Sequence, residues 1–269
     1  MKKLMLALTA LAAFTGSAVA ADLPARTYSK APVPMAPVYN WNGFYIFGGG
    51  GGGLWAADSN SVTQPGGVAL TRDQRLGGSG WFGTVGIGYD WQFNGSWVAG
   101  IFGDGQFGDI RGSLSDPANF SSEGREKLRT SYAAGVRLGY LVAPNVLSYV
   151  NAGYSGSEWS GTSQSSLMTG FVGGPVAFST TPSFHRDGFF VGGGVENNLN
   201  IFGIAAPGWF MKTEYRSAFY NRITLPETFT PAFGGGLATN AVTFKPWVQT
   251  ISTSLVYRFN WTGPVVAKY

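Results

Sequence analysis

Eight charged residues recur at alternating positions within otherwise apolar runs: Asp90, Asp104, Arg129, Arg137, Glu196, Lys212, Glu214 and Arg216. Large apolar residues stand one step away from several of them, as Tyr89 and Trp91 do around Asp90 and Val136 and Leu138 around Arg137. A strand turns successive side chains to opposite faces, so the charges share the polar face. Four acids and four bases in a confined interior pair with one another, because an isolated buried charge is costly. The set therefore reads as a paired interior network. The alternative is the same charges standing in water around an open passage. His185 is the single histidine, with Ser183 and Asp187 beside it, an arrangement that invites a hydrolase reading. Residues at i and i+2 project on one strand face and need not converge as a triad, so a solvated residue at a loop edge is the plainer reading. No catalytic residue is assigned. One histidine without cysteine makes no closed metal site, and no cofactor is indicated. The tract Gly48–Gly53 resembles a phosphate cradle in composition only: Leu54 and Trp55 follow it, with neither the Gly-Lys-Ser/Thr ending nor a helix start. Glycines facing a narrow interior would leave room for bulky neighbours.

The elements that must carry these charges are strands. Trp81, Gly83, Val85, Ile87, Tyr89, Trp91 and Phe93 alternate with Phe82, Thr84, Gly86, Gly88, Asp90 and Gln92. Asn94-Gly95 follows, tolerant of the positive φ of a type I′ turn, and Trp97, Ala99 and Ile101 resume the apolar face. Eight such runs are expected: 43–56, 80–93, 97–109, 128–142, 146–157, 187–199, 208–220 and 246–259. In the fourth, Leu128, Thr130, Tyr132, Val136, Leu138 and Tyr140 should face one way and Arg129 and Arg137 the other. The fifth is ambiguous, since Leu147 and Tyr149 compete with Val150 and Tyr154. The eighth sets Thr250, Ser252, Ser254 and Arg258 against Ile251, Leu255, Tyr257 and Phe259. Connections alternate between short (94–95, 143–145, roughly 200–207) and long (57–79, 110–127, 158–186, 221–245). The pattern predicts an all-β, eight-stranded antiparallel transmembrane β-barrel, with short periplasmic turns and long extracellular loops. Measured from the short turns, Asp104, Arg137, Glu196, Lys212 and Glu214 lie in its lower and middle parts. Trp91, Phe93, Trp97, Tyr140, Trp209, Tyr257 and Phe259 fall near the short turns, and Trp81, Phe107, Tyr132, Phe189, Phe219 and Trp247 near the long loops. They are expected as girdles at the two lipid–water interfaces. Trp159, Phe171, Phe178, Phe184, Phe229 and Phe233 in the long connections are either a binding surface or a packed lid.

Composition agrees. Charged residues are 12% and aromatics 15%, with 41 glycines and no cysteine, against roughly 25% charge in ordinary soluble domains. Lys2-Lys3, an apolar stretch to Phe14 and Ala18-Val19-Ala20 read as a signal peptide over 1–20, cleaved near Ala20. Removing Lys2 and Lys3 takes the formal charge from +4 to +2. That is no basic patch, so no nucleic-acid partner is expected. Residues 21–40 read as a Pro/Ala-rich periplasmic linker, 41–259 as the barrel and 260–269 as a C-terminal periplasmic tail.

Ala21-Asp22-Leu23-Pro24 with the Ala/Pro linker, Trp41-Asn42-Gly43-Phe44-Tyr45, Gly192-Gly193-Gly194-Val195-Glu196, Lys212-Thr213-Glu214-Tyr215 and Val256-Tyr257-Arg258-Phe259 resemble motifs of small alphaproteobacterial outer-membrane barrels. These are the outer-membrane immunogenic, porin-like group, related in architecture to opacity proteins and the OmpA barrel. The resemblance spans the mature chain. It implies a Gram-negative outer-membrane location, a surface antigen and insertion by the barrel-assembly machinery, among outer-membrane lipid and lipopolysaccharide. A closed barrel needs no partner to cover its edges, so a monomer is expected. The leading expectation is a structural, porin-like envelope protein. The alternatives are a passive small-solute pore and loop-mediated binding of haem or a host surface.

Overall fold

The computed structural model describes residues 39–118, 122–165, 176–201 and 204–259. The expected signal peptide, residues 21–38 of the linker, the tail and Phe171 lie outside the described residues. The elements are β1 (Gly43–Ser59), β2 (Ser61–Thr63), β3 (Gln74–Phe93), β4 (Trp97–Asp116), β5 (Ser122–Ala143), β6 (Val146–Trp159), β7 (Thr162–Ser165), β8 (Ala177–Thr181), β9 (Phe184–Ile201), β10 (Ile204–Tyr220), β11 (Ile223–Phe229) and β12 (Leu237–Arg258).

Eight long strands close into a ring in the order β1-β3-β4-β5-β6-β9-β10-β12, and β12 pairs back onto β1. Every neighbour in the ring is antiparallel. Closure satisfies each strand's backbone groups without exposing an edge to lipid, which is why strands can cross a bilayer only in this form. The β3–β4 connection keeps the positive φ expected of Asn94 (50°) and Gly95 (72°). It spans three residues, however, because Phe93 pairs with Trp97. Gly43 and Phe259 meet on the short-turn rim, where Phe259 N donates to Phe44 O at 2.9 Å.

The strands are longer than their apolar runs. β4 continues to Asp116, β5 begins at Ser122 and β12 begins at Leu237. The long connections, polar and rich in Gly, Ser and Thr, supply β2, β7, β8 and β11, which pair with one another and with β5 and β12. Much of what composition reads as loop is thus sheet projecting beyond the apolar belt. Trp159, Phe178 and Phe184 are buried there. Trp159 stacks on Phe184 (5.8 Å) and meets Phe244 edge-on (5.2 Å), and Phe178 contacts Phe229 and Phe233. They pack rather than stand free.

The ambiguous fifth run resolves with Leu147 and Tyr149 buried inside and Val150 and Tyr154 exposed outside. The glycine tract serves both faces. A Cβ on inward Gly51 would come within 1.9 Å of Ile251 O, whereas one on outward Gly48 meets nothing nearer than 3.8 Å.

Candidate functional site

The candidate site is the barrel interior, which side chains fill in tiers. At the short-turn end Trp41, just ahead of β1, is wholly buried; its backbone N–H donates to Gln92 Oε1 at 2.9 Å and its ring packs on Phe210 at 5.0 Å. Above it lies the first charge tier, formed by Asp90 (β3), Arg137 (β5), Glu196 (β9) and Arg258 (β12), all buried. Arg137 donates to Asp90 through Nε (2.9 Å) and Nη2, and through Nη1 to Glu196 at 3.0 Å. Arg258 donates through Nε to Glu196 at 2.8 Å and through Nη1 to Asp90 at 2.8 Å. Each carboxylate therefore touches both guanidiniums, and the tier is neutral. Aromatic faces complete the cage: Arg258 lies 4.5 Å from the Trp41 ring centroid, and Arg137 lies 4.4 Å from Tyr45 and 5.1 Å from Tyr149. Such contacts are strongest where water is excluded.

The second tier holds Asp104 (β4) with Lys212, Glu214 and Arg216 (β10), also buried and neutral. Arg216 grips Asp104 with two parallel bonds, 2.9 and 2.6 Å, and reaches Glu214 at 2.8 Å. The fork geometry of the guanidinium matches a carboxylate in this bidentate way. Lys212 Nζ lies 3.6 Å from Glu214 and 3.4 Å from the Phe47 ring centroid, and Tyr149 OH donates to Glu214 at 2.8 Å. Phe102 and Phe190 flank Arg216. Further up, Trp55, Trp159, Phe184 and Phe244 form an apolar plate. An eight-stranded barrel is just wide enough for side chains to fill it.

Beyond the plate, outside the spanning segments, a buried polar tier joins the extensions. Ser61 and Asn240 donate to Asp116, Thr162 to Glu126 (2.7 Å), and Gln164 to Glu227 (2.8 Å). Burial pushes Glu126 up to about 7 and raises Asp116 as well. Sequence reasoning missed this tier. Its residues lie in stretches without regular alternation, and only the added strands bring them together.

Seven of the eight charges singled out in the sequence meet in the two tiers. Arg129 is the correction. It is exposed on the outside, at a bulge where β5 steps from Leu128 to Thr130 while β6 advances only from Trp159 to Glu158. The extra residue reverses the alternation, so Leu128 is buried and Arg129 is not. Arg258 takes the fourth cationic place. Its polar-face position was legible, but nothing in the run marked it as a partner of Asp90 and Glu196.

Outside, Trp81, Trp91, Phe93, Trp97, Tyr140, Trp209 and Phe259 are exposed, and Trp247 and Tyr257 are half-buried. Trp97 with Tyr140, Trp209 with Tyr257, and Phe219 with Trp247 pair across neighbouring strands, and Tyr257 meets Phe259 along the end of β12. Trp81 and Trp91, Trp97 and Phe107, Trp209 and Phe219, and Trp247 and Tyr257 are each ten residues apart on one strand. Ten residues rise about 33 Å, which a tilt of about 40° reduces to about 25 Å, the height of an outer-membrane apolar band. His185 lies on the outer face against Asp187 (2.9 Å) and Glu158 (3.3 Å), in no triad with Ser183.

No protein-family model matches the chain. It is 27% identical over 219 residues to the 31 kDa outer-membrane immunogenic protein of Brucella melitensis biotype 1, covering 80% of this chain and 85% of that protein. The same figures hold for the protein of that name from Brucella suis biovar 1. Among solved structures, OprG from Pseudomonas aeruginosa aligns with a TM-score of 0.50 at 12% identity, over 81% of this chain and 97% of that one. Neisserial surface protein A aligns with a TM-score of 0.37 at 12% identity, over 80% and 97%. The chain is an outer-membrane β-barrel protein of the bacterial surface, similar to the outer-membrane immunogenic proteins of Brucella.

Proposed function

We propose that the protein is a sealed barrel with a structural, envelope-supporting role, presenting its extracellular extensions at the surface. The observation that carries this reading is the interior itself. Two neutral tiers of four charges are stacked between the buried Trp41 and the plate of Trp55, Trp159, Phe184 and Phe244. Hydrated ions could pass only if several charge-assisted bonds broke together. In this reading the barrel is a monomer, inserted by the barrel-assembly machinery and solvated by outer-membrane lipid. It has no catalytic role, and His185 is a surface residue held by two carboxylates. The test is osmotic swelling of phospholipid vesicles carrying refolded residues 21–269, with arabinose as the solute. Swelling no faster than in protein-free vesicles is expected. Rapid swelling would replace this reading with that of a passive pore.

A further inference from the structure

The outer wall carries a feature that neither the sealed interior nor the extensions require. Along β1 the outward positions are Phe44, Ile46, Gly48, Gly50, Gly52, Leu54, Ala56 and Asp58. Three successive outward positions thus carry no side chain. The neighbouring strands form the sides of the gap. Val85, Gly83 and Trp81 of β3 pair with Gly48, Gly50 and Gly52, and Leu255, Thr253 and Ile251 of β12 pair with the same three. The flanking strands lie two strand spacings apart, about 9.6 Å, and the gap runs about 13 Å along β1. Its upper end opens into a groove of about 500 Å³ lined by Gly52, Leu54, Trp81, Tyr215, Gln249 and Ile251. Trp81 stands proud beside it, 79% exposed. The trough is therefore narrow, apolar and aligned with the strands, as a single extended hydrocarbon chain would need.

Directly above, on the long-loop side of the aromatic belt, the character changes. A second hollow of about 200 Å³ is lined by Ala56, Asp58, Arg75, Phe219, Lys245 and Trp247. Asp58 sits between Lys245 and Arg75 in the strand register, so the row is net positive. Arg75 lies over the Trp247 ring, 5.7 Å from its centroid, and among the described residues its guanidinium makes no ion pair or hydrogen bond. Basic residues at a membrane surface attract anionic headgroups. An apolar trough continued upward by a pair of cations is complementary to an amphiphile with an anionic head.

We propose that this wall is a binding site for a phosphate-bearing, multi-acyl glycolipid of the outer leaflet. One acyl chain lies along Gly48, Gly50 and Gly52, and a phosphate engages Arg75 and Lys245, whose two positive charges outweigh the single carboxylate of Asp58 between them. The site rests on the outer-membrane placement of the barrel and is independent of whether the lumen conducts.

The experiment refolds residues 21–269 in detergent with lipid A and counts retained lipid per barrel by native mass spectrometry. Controls are dephosphorylated lipid A and phosphatidylcholine. One lipid A per barrel is expected. G48L/G52L fills the trough where an added Cβ meets nothing nearer than 3.8 Å, and R75Q/K245Q removes the cations without touching the trough. Each variant, and dephosphorylated lipid A on the unaltered chain, should lower retention about tenfold or more. Heat-dependent gel mobility verifies folding, and R75Q/K245Q alone decides the matter if the trough-filled variant misfolds. Equal retention by all variants, equal retention of phosphatidylcholine, or a barrel dimer that the trough-filled variant abolishes would each overturn the assignment.

Discussion

Arg137→Met removes one guanidinium from the first charge tier while keeping an unbranched apolar stem in its place. Arg137 is buried and donates two bonds to Asp90 and one to Glu196. The substitution leaves two buried carboxylates facing Arg258 alone. Breaking a buried pair from one side costs about 3–5 kcal/mol, because the remaining charge is uncompensated. At 1.4 kcal/mol per tenfold, the folding equilibrium should fall by a factor of about 10² to 10⁴. The assay is reversible urea unfolding of the refolded barrel in short-chain phosphatidylcholine vesicles, followed by tryptophan fluorescence. The double variant R137M/D90N removes one charge of each sign, so the tier stays neutral. It should recover more than half of the loss, giving a coupling between the two positions well outside additivity. Additive effects, or no effect of R137M, would refute the claim that these groups are held as a desolvated network.

The same logic predicts that R258M destabilises about as much as R137M, whereas R129Q stays within about 0.5 kcal/mol because Arg129 is on the exposed surface; urea midpoints decide it. On the glycine tract, G51A should lose the heat-modifiable folded band, since its Cβ would meet Ile251 O at 1.9 Å, while G48A should fold normally. In the extracellular tier Glu126 has a carboxyl raised from 4.5 to about 7. The folded form therefore holds its proton more tightly than the unfolded form. The stability this provides is complete below pH 4.5 and lost as the pH rises through 7, up to about 3 kcal/mol at 1.36 kcal/mol per unit. Proteolysis of the extensions should rise between pH 5 and 8, and E126Q should flatten that rise; an unchanged profile would contradict it.

The strand count, the polar faces and the alternation of short and long connections were legible because each rests on a period of two that a single sequence displays. Two failures have local causes. A period of two carried straight through 128–142 puts Arg129 inside, and nothing in Leu128-Arg129-Thr130 announces a bulge. The extracellular sheet is hard to read because β2, β7 and β8 consist largely of Ser, Thr and Gln, residues that read as loop until their buried partners are known. The charge tiers lie between these extremes. Asp90, Asp104, Arg137, Glu196, Lys212, Glu214 and Arg216 could be assigned to one face from spacing. Which acid meets which base depends on where eight strands bring them around a closed ring, and Arg258 entered only through that closure.

Single-channel recording from refolded residues 21–269 in planar bilayers tests the central claim most directly, with folding verified by heat-dependent gel mobility. The sealed interior predicts a quiet membrane for the unaltered chain, and for R137M as well, because the second tier and the plate of Trp55, Trp159, Phe184 and Phe244 still close the lumen. Steady, reproducible steps from the unaltered chain would contradict it and make passive transport the function of the barrel.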